Sequence, residues 1–129
     1  MIKQLALIVG LVLVAVGVLG FVPGATSDGM LLGVFHTNTA YNLIHLVTGA
    51  VAVWAGLQST KVARMCFQGF GVLYGLIAIA GFMTPEGQDI FGVIANNTAS
   101  NWLHVAIAAT SLALGFVVKD EETPTTVRT

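Results

Sequence analysis

Two histidines in apolar surroundings are the residues best suited to chemistry in this 129-residue chain. His45 follows Asn42 by three residues and His104 follows Asn101 by three, and each pair lies just inside an apolar run. Neutral imidazole is the commonest protein ligand for metals, and helix bundles often hold a cofactor between facing helices. The two histidines could therefore clamp one haem iron from both sides, or either could bind the magnesium of a chlorophyll.

A structural role is the favoured interpretation of the same residues. Each histidine with its asparagine would bond backbone carbonyls of a loop at membrane depth, where free polar groups need partners. The spacing His-x-x-x-His that is typical of metal sites is absent from the sequence. We therefore predict structural polar pairs, with no metal, no catalytic residue and no cofactor; haem or chlorophyll bound by His45 and His104 is the alternative. The predicted pairs are Asn42 with His45 and Asn101 with His104.

The two polar pairs belong to an internal repeat. A constant offset of 59 positions places Asn42 on Asn101 and His45 on His104, and it continues through the flanking sequence. The chain is thus one unit of two helices written twice, with repeat one at about 4–58 and repeat two at about 63–118. If the histidines are equivalent anchors, replacing either by leucine should destabilise the protein equally.

The composition predicts an all-α integral membrane protein. Hydrophobic residues make up 56% of the chain and charged residues only 9%, whereas an ordinary soluble domain is about a quarter charged. Four apolar segments are each long enough to cross a hydrocarbon core of about 30 Å. They lie at about 4–22, 40–58, 63–83 and 99–118. We predict one four-transmembrane-helix domain over 1–118 and a short polar cytoplasmic tail over 119–129.

The charges predict the orientation of this bundle. All five basic residues fall on one side of the expected path, and the two loops on the other side carry only acidic charges. By the positive-inside rule, both termini are cytoplasmic. A net charge of −1 without a basic stripe argues against nucleic acid as a partner. The basic residues are Lys3, Lys61, Arg64, Lys119 and Arg128, and the acidic loop residues are Asp28, Glu86 and Asp89.

Small residues spaced by three and four mark one face of each helix. In lipid, where packing drives helix association, such faces let backbones approach closely. We therefore expect a compact bundle with a pseudo-twofold axis along the membrane normal. The predicted packing residues are Gly10, Gly17, Gly49, Gly56, Gly71, Gly75, Ala108 and Gly115.

The remaining polar and aromatic residues have simple expected places. Tyr41 and Trp102 are expected at the membrane interface as belt aromatics, and His36 in an exposed outer loop. Both outer loops contain apolar segments too short to span, which should either lie in the membrane interface or dip back and pack over the outer end of the bundle. Gln68 is expected to make a helix-to-helix hydrogen bond.

Four stretches carry a resemblance to a known family. They are GVLGFVPG, LLGVFHTNTAYNLIHLVTGA, FGVLYGLIAIAGF and NNTASNWLHVAIAA, and the doubled Asn-x-x-His is the most specific part. With these the sequence resembles small bacterial four-helix membrane proteins known only as domain of unknown function 4383. The resemblance implies a multi-pass protein of the bacterial inner membrane and assigns no activity, substrate or cofactor.

These observations favour a non-enzymatic membrane protein, an accessory or scaffold subunit that acts through helix packing. Its expected partners are the lipid bilayer and either further copies of itself or a larger membrane complex. The alternative is the cofactor-binding protein described above. A small transporter or channel is less favoured, because a permeation path needs polar residues through the full depth and the stretch from Val47 to Trp54 offers only Thr48.

Overall fold

The computed structural model describes residues 1–119 and is mostly helical. Each of the four helices is long and apolar enough to cross a membrane, as the sequence predicts. The helices are α1 (Ile2–Leu19), α2 (Thr39–Leu57), α3 (Thr60–Met83) and α4 (Thr98–Leu112), and α4 continues as a π-helix over Ala113–Val117. The predicted polar tail covers residues 119–129, and all of it after residue 119 lies outside the described residues.

Side chains and prolines set the helix ends. Asn38 caps α2 by accepting a hydrogen bond from the Tyr41 backbone N–H at 2.9 Å, and Asn97 caps α4 in the same way from Ser100 at 3.0 Å. Such caps satisfy N–H groups that have no partner within the helix. The α3 helix ends two residues before Pro85, which disfavours helical backbone at the residue preceding it.

The helices pack as two close pairs, α1 on α2 and α3 on α4. The backbones of α1 and α2 are in contact at Gly10 and Gly49. A Cβ atom on Gly10 would lie 2.7 Å from the Gly49 carbonyl oxygen, and one on Gly49 would lie 2.6 Å from the Val14 nitrogen. Glycine is required here because a contact between backbones leaves no space for any side chain.

The other predicted packing residues also lie between helices. Gly17 faces Leu46 and Gly56 faces Leu7 in the first pair. In the second pair, a Cβ atom on Gly71 would meet the Leu112 side chain at 2.5 Å. The contact between Gly75 and Ala108 is looser, since a Cβ atom on Gly75 would lie 3.9 Å from that of Ala108. Gly115 packs on Gln68.

The loops after α1 and α3 are hairpins, which the all-α prediction missed. The first forms a small antiparallel sheet and the second a single bridge between Ile90 and Ile94. We call this side of the bundle the hairpin end, and the side with Met1, Ser59 and Val118 the terminal end. The strands are β1 (Thr26–Ser27), β2 (Met30–Leu31) and β3 (Phe35–His36), in the order β1-β2-β3.

Both hairpins contain the same turn. Leu32 and Gly33 have φ angles of 54° and 70°, and Phe91 and Gly92 have 51° and 71°. Two successive positive φ angles define a type I′ turn, whose twist suits a hairpin. Bulky residues rarely adopt this conformation. Phe91 is nevertheless 88% exposed at its turn, so packing does not explain its presence there.

Each hairpin is tied to the helix cap of the other repeat. The Asn38 side-chain amide donates to the Val93 carbonyl at 2.9 Å, and Asn97 donates to the Val34 carbonyl at 2.9 Å. These bonds exchange under the offset of 59 positions, as expected for two units around a twofold axis. The outer loops therefore pack over the end of the bundle.

Two expectations about side chains at this end were wrong. Tyr41 is not an interfacial aromatic but is 1% exposed within the bundle. The other residue expected at the interface, Trp102, is 62% exposed and packs edge-on against Phe82. His36 is half-buried rather than exposed, with its Nδ1 atom 3.4 Å from the Asn96 carbonyl oxygen.

Candidate functional site

Four aromatic side chains from three helices meet inside the bundle toward the hairpin end. Tyr41 and His45 come from α2, where they lie one turn apart and therefore on one face. Tyr74 comes from α3 and His104 from α4. The two imidazole rings stack with centroids 5.7 Å apart and planes at 27°. Tyr41 lies 4.4 Å from His45, and Tyr74 lies 5.6 Å from His104, between ring centroids. We call these four residues the ring cluster.

The structure brings together the two histidines that the sequence singled out and adds the two tyrosines. Tyr41 could have been recognised from its spacing, because it precedes His45 by four residues on the same helix face. Tyr74 lies between the small residues Gly71 and Ala78, and that position also favours the interior. From the sequence, Tyr41 was instead placed at the membrane interface and Tyr74 was assigned no role, because most aromatic residues in apolar segments only fill space in the packing.

Hydrogen bonds fix several groups of the ring cluster. The His45 Nδ1 atom is 2.9 Å from the Tyr41 carbonyl oxygen. Since a carbonyl can only accept, Nδ1 carries the proton in this bond, and Nε2 of the neutral ring is an acceptor. The Tyr74 hydroxyl lies 2.6 Å from the Thr48 hydroxyl. The Ser100 hydroxyl donates to the Tyr41 hydroxyl at 3.4 Å.

Five buried side-chain atoms of the described residues have no hydrogen-bond partner. An unsatisfied buried polar group costs about 1–3 kcal/mol, so such a concentration calls for a physical reason. Four of the five belong to the predicted polar pairs, and the fifth is on the neighbouring Asn96. The atoms are Asn42 Oδ1, His45 Nε2, Asn96 Oδ1, Asn101 Oδ1 and His104 Nδ1.

The two asparagines of the polar pairs pack against glycines. The Asn42 amide oxygen occupies the place that a Cβ atom of Gly20 would take, and Asn101 stands in the same relation to Gly81. An oxygen in that position makes a weak contact with the glycine Cα–H group. The first and second helices of each repeat are thus fitted together at the hairpin end by an asparagine over a glycine.

Other asparagines make the bonds between helix and loop that the sequence analysis assigned to the polar pairs. Asn38 and Asn97 hold the hairpins as described above. Asn96 donates to the Gly81 carbonyl at 3.3 Å and to the Thr84 carbonyl at 3.5 Å. The loop carbonyls are therefore satisfied from positions 38, 96 and 97, whereas His45 bonds the backbone of its own helix.

The ring cluster does not fit a haem held between its two histidines. Such a haem needs a macrocycle-sized gap between the two imidazoles, but these rings stack on each other with the tyrosines beside them. The space that both histidines line has a volume of about 0 Å³, too small for water. Within residues 1–119, no three His, Cys, Asp or Glu side chains come together as a metal site.

The terminal end holds a second set of polar contacts, between α3 and the π-helix. The Gln68 side chain donates to the Gly115 carbonyl at 2.9 Å, which confirms the predicted helix-to-helix bond. Arg64 donates to the Val118 carbonyl at 2.6 Å and to the Leu114 carbonyl at 3.1 Å. Carbonyls at a helix C-terminus lack partners within the helix, and these two side chains supply them.

Comparison with known proteins supports the resemblance found in the sequence. The family described as "Domain of unknown function (DUF4383)" matches residues 3–117. No curated protein and no solved structure matched the chain. The match covers all four helices and both hairpins. The chain therefore belongs to the DUF4383 family, a domain of unknown function.

Proposed function

We propose that the protein is a non-enzymatic, multi-pass protein of the bacterial inner membrane, an accessory or scaffold subunit that acts through helix packing. The observation that carries the proposal is the contact between backbones of α1 and α2 at Gly10 and Gly49. Contacts this close make a rigid unit whose outer surface can present fixed side chains to lipid or to another membrane protein.

The use of the polar side chains supports the same proposal. In the stretch from Val47 to Trp54, Thr48 carries the one hydroxyl group. This hydroxyl lies 2.6 Å from the Tyr74 hydroxyl. Gln68 and Arg64 donate to the Gly115 and Leu114 carbonyls of the π-helix. Polar groups committed to internal bonds hold elements together, whereas a permeation path needs them along a wet cavity.

Association with other chains can be tested in native membranes. Two differently tagged copies are expressed in one cell, extracted in mild detergent and separated on a native gel. We expect the protein in a defined complex well above its monomer mass of 13.4 kDa. Co-purification of the two tags would identify self-association, and a single tag would identify a larger complex with other subunits. Migration as a monomer at every detergent concentration would contradict a scaffold role.

An absorption spectrum tests the cofactor alternative on the same preparation. We expect a colourless protein from cells that make haem and chlorophyll. A visible band that is absent from the double variant His45→Ala, His104→Ala would instead identify a pigment-binding protein. Because His45 and His104 lie in the packed core, circular dichroism must first show that the double variant remains helical.

The proposed orientation places the terminal end in the cytoplasm, because the basic residues gather there. In a Cys66→Ala background, single cysteines at Asp28 and Asp89 should react with an impermeant thiol reagent in intact cells. A cysteine at the exposed Lys61 should react only after the membrane is opened. The reverse pattern would place both termini outside.

A further inference from the structure

A cavity of about 260 Å³ lies between α1 and α4. The α1 helix packs on α2 and α4 packs on α3, so the two helices that flank the cavity are left apart. Ile8 and Val12 at its wall are each 57% exposed on the outside of the bundle. In a membrane the cavity therefore opens sideways, toward lipid.

The twofold axis of the bundle relates this cavity to the contact between α2 and α3. Helices α2 and α4 align at an offset of 59 positions, and α1 and α3 align at an offset of 61. The packing agrees with both offsets, because Asn42 lies over Gly20 as Asn101 lies over Gly81. The axis therefore exchanges the gap between α1 and α4 with the contact between α2 and α3.

The equivalent space in the other half of the bundle is closed. It is lined in part by Ile77 and His104 and has a volume of about 0 Å³. At the two offsets these residues correspond to Val16 and His45, which both line the open cavity. The same place in the fold is thus filled in one half and open in the other.

Two aromatic rings of α3 account for this difference. Phe70 and Tyr74 are 6% and 0% exposed, and their rings meet edge-on with centroids 6.1 Å apart. The Tyr74 side chain reaches α2, where its hydroxyl lies 2.6 Å from that of Thr48. At the offset of 61 the two rings correspond to Val9 and Leu13, which both line the cavity. The cavity therefore lies where α1 has two aliphatic residues in place of two rings.

The histidine in the cavity wall strengthens the comparison. In the closed half, the Tyr74 ring packs against His104 with centroids 5.6 Å apart. In the open half, His45 holds the position of His104 and contributes to the cavity wall. A ring that enters the cavity would thus meet an imidazole, as Tyr74 does, and aromatic pairs with centroids about 4.5–7 Å apart attract each other.

We propose that this cavity binds a neutral aromatic ring compound that is dissolved in the membrane, with the ring in the place that Phe70 and Tyr74 fill in the other half. An apolar cavity of roughly 150 Å³ is enough to take benzene. At about 260 Å³ this cavity has room for one ring with a short substituent. No charged residue lines it, and a charge at this depth needs a partner, so the compound is uncharged.

Photolabelling of the purified protein in lipid nanodiscs tests the proposal. The probe is phenyl trifluoromethyl diazirine, and the control probe carries a linear hexyl group in place of the phenyl ring. The two probes have the same number of carbon atoms, but only the first is flat. We expect the phenyl probe to label peptides of the cavity wall at least about fivefold more than the hexyl probe at equal membrane concentration. That ratio corresponds to about 1 kcal/mol.

Two substitutions on α1 show whether the cavity is the site of labelling. Val9→Phe places in the cavity wall the ring that Phe70 supplies in the other half. Leu11→Phe places the same ring on a residue that is 62% exposed and does not line the cavity. Labelling by the phenyl probe should be lost in the first variant and kept in the second. Circular dichroism checks that both variants remain helical.

The proposal is overturned if the hexyl probe labels the wall as well as the phenyl probe does, because the cavity is then a groove for lipid chains. Equal labelling of the Val9→Phe and Leu11→Phe variants would overturn it as well. If Val9→Phe does not fold, Ala106→Phe blocks the cavity from an exposed position of its wall on α4. Its control is Ala109→Phe, which is exposed on the same helix and does not line the cavity.

Discussion

The two repeats share the turns and the cap bonds of the hairpin end but differ along their helices. At the hairpin end, the turns at Leu32 and Phe91 have φ angles of 54° and 51°, and the two bonds between cap and hairpin have equal lengths of 2.9 Å. These elements contact the other repeat across the twofold axis. Any change in one would break a contact of both, so the symmetry is preserved where the repeats meet.

The helix pairs within each repeat are packed differently. Gly49 of α2 corresponds to Ala108 of α4 at the offset of 59. The first pair accordingly crosses with backbones in contact at Gly10 and Gly49, whereas the second pair has room at Gly75 for a methyl group. The two pairs therefore differ in how closely they pack at the level of Gly49 and Ala108.

The histidines also depart from symmetry. The unpartnered atom is Nε2 in His45 and Nδ1 in His104. His45 bonds the Tyr41 carbonyl through Nδ1, and in the second repeat Ser100 stands in place of Tyr41. The Tyr41 ring of the first repeat thus faces the small Ser100 hydroxyl of the second. The tyrosine fills space on one side of the twofold axis, so the surroundings of the two histidines are not symmetric.

The largest expected effect concerns the closer crossing in the first repeat. Gly49→Ala should lower the free energy of unfolding by about 3 kcal/mol, because its methyl group meets backbone atoms that cannot move aside. Gly75→Ala is the control in the second repeat, where we expect no loss or a small gain from the higher helix propensity of alanine. Unfolding by sodium dodecyl sulfate, followed by circular dichroism, measures both. Equal losses would mean that the two pairs cross at the same distance.

A smaller and equal effect is expected at the asparagine–glycine contacts. Gly20→Ala and Gly81→Ala should each cost about 2 kcal/mol, because a Cβ atom would displace a buried amide oxygen. In the double variant Gly20→Ala, Asn42→Ala the methyl group can take the place of that oxygen, so the combined cost should be less than the sum. Additive costs would show that Gly20 and Asn42 do not interact. A difference above about 1 kcal/mol between Gly20→Ala and Gly81→Ala would show that the contacts in the two repeats are not equivalent.

The histidines should differ where the repeat alone would predict equality. His45→Leu loses the bond to the Tyr41 carbonyl, whereas His104→Leu removes a ring whose Nδ1 is unpartnered. Replacing an unsatisfied polar group by an apolar one can be nearly neutral. We expect His45→Leu to be the more destabilising by about 1 kcal/mol, in the same unfolding assay. Equal losses would indicate that both rings make equivalent bonds.

The helices, their caps and the pairing of the histidines could be predicted because they depend on local chemistry. Apolar length, the cap residues Asn38 and Asn97 and the repeat offset are all visible in the sequence. Two of the hairpin turns, Leu32-Gly33 and Phe91-Gly92, were missed because type I′ turns usually carry Asn, Asp or Gly where these have Leu and Phe. The turn between β1 and β2 is different, because Asp28-Gly29, with φ angles of 54° and 75°, is a typical type I′ sequence that the all-α prediction passed over.

The interior of the site was less predictable than its location. Tyr41 was expected at the interface because its sequence position is near the helix start, but its spacing from His45 turns it inward. Asn42 was expected to bond a loop, yet the cap residue Asn38, one turn earlier, does so. Which of these two asparagines reaches a carbonyl depends on the path of a loop from the other repeat, and no local pattern encodes it.

The smallest expected effect concerns a substitution at the terminal end. Helices α1 and α3 align at an offset of 61, rather than the 59 that aligns α2 with α4, and this places Gln68 on Leu7. Gln68→Leu makes the second repeat resemble the first and removes the bond to the Gly115 carbonyl. Arg64 lies 3.4 Å from the same carbonyl and can retain it, so the cost should be only about 0.5 kcal/mol. The control is Gln4→Leu on an exposed part of α1, which should cost nothing. A loss above about 2 kcal/mol for Gln68→Leu would exceed a single neutral hydrogen bond, and would mean that the amide holds the π-helix itself.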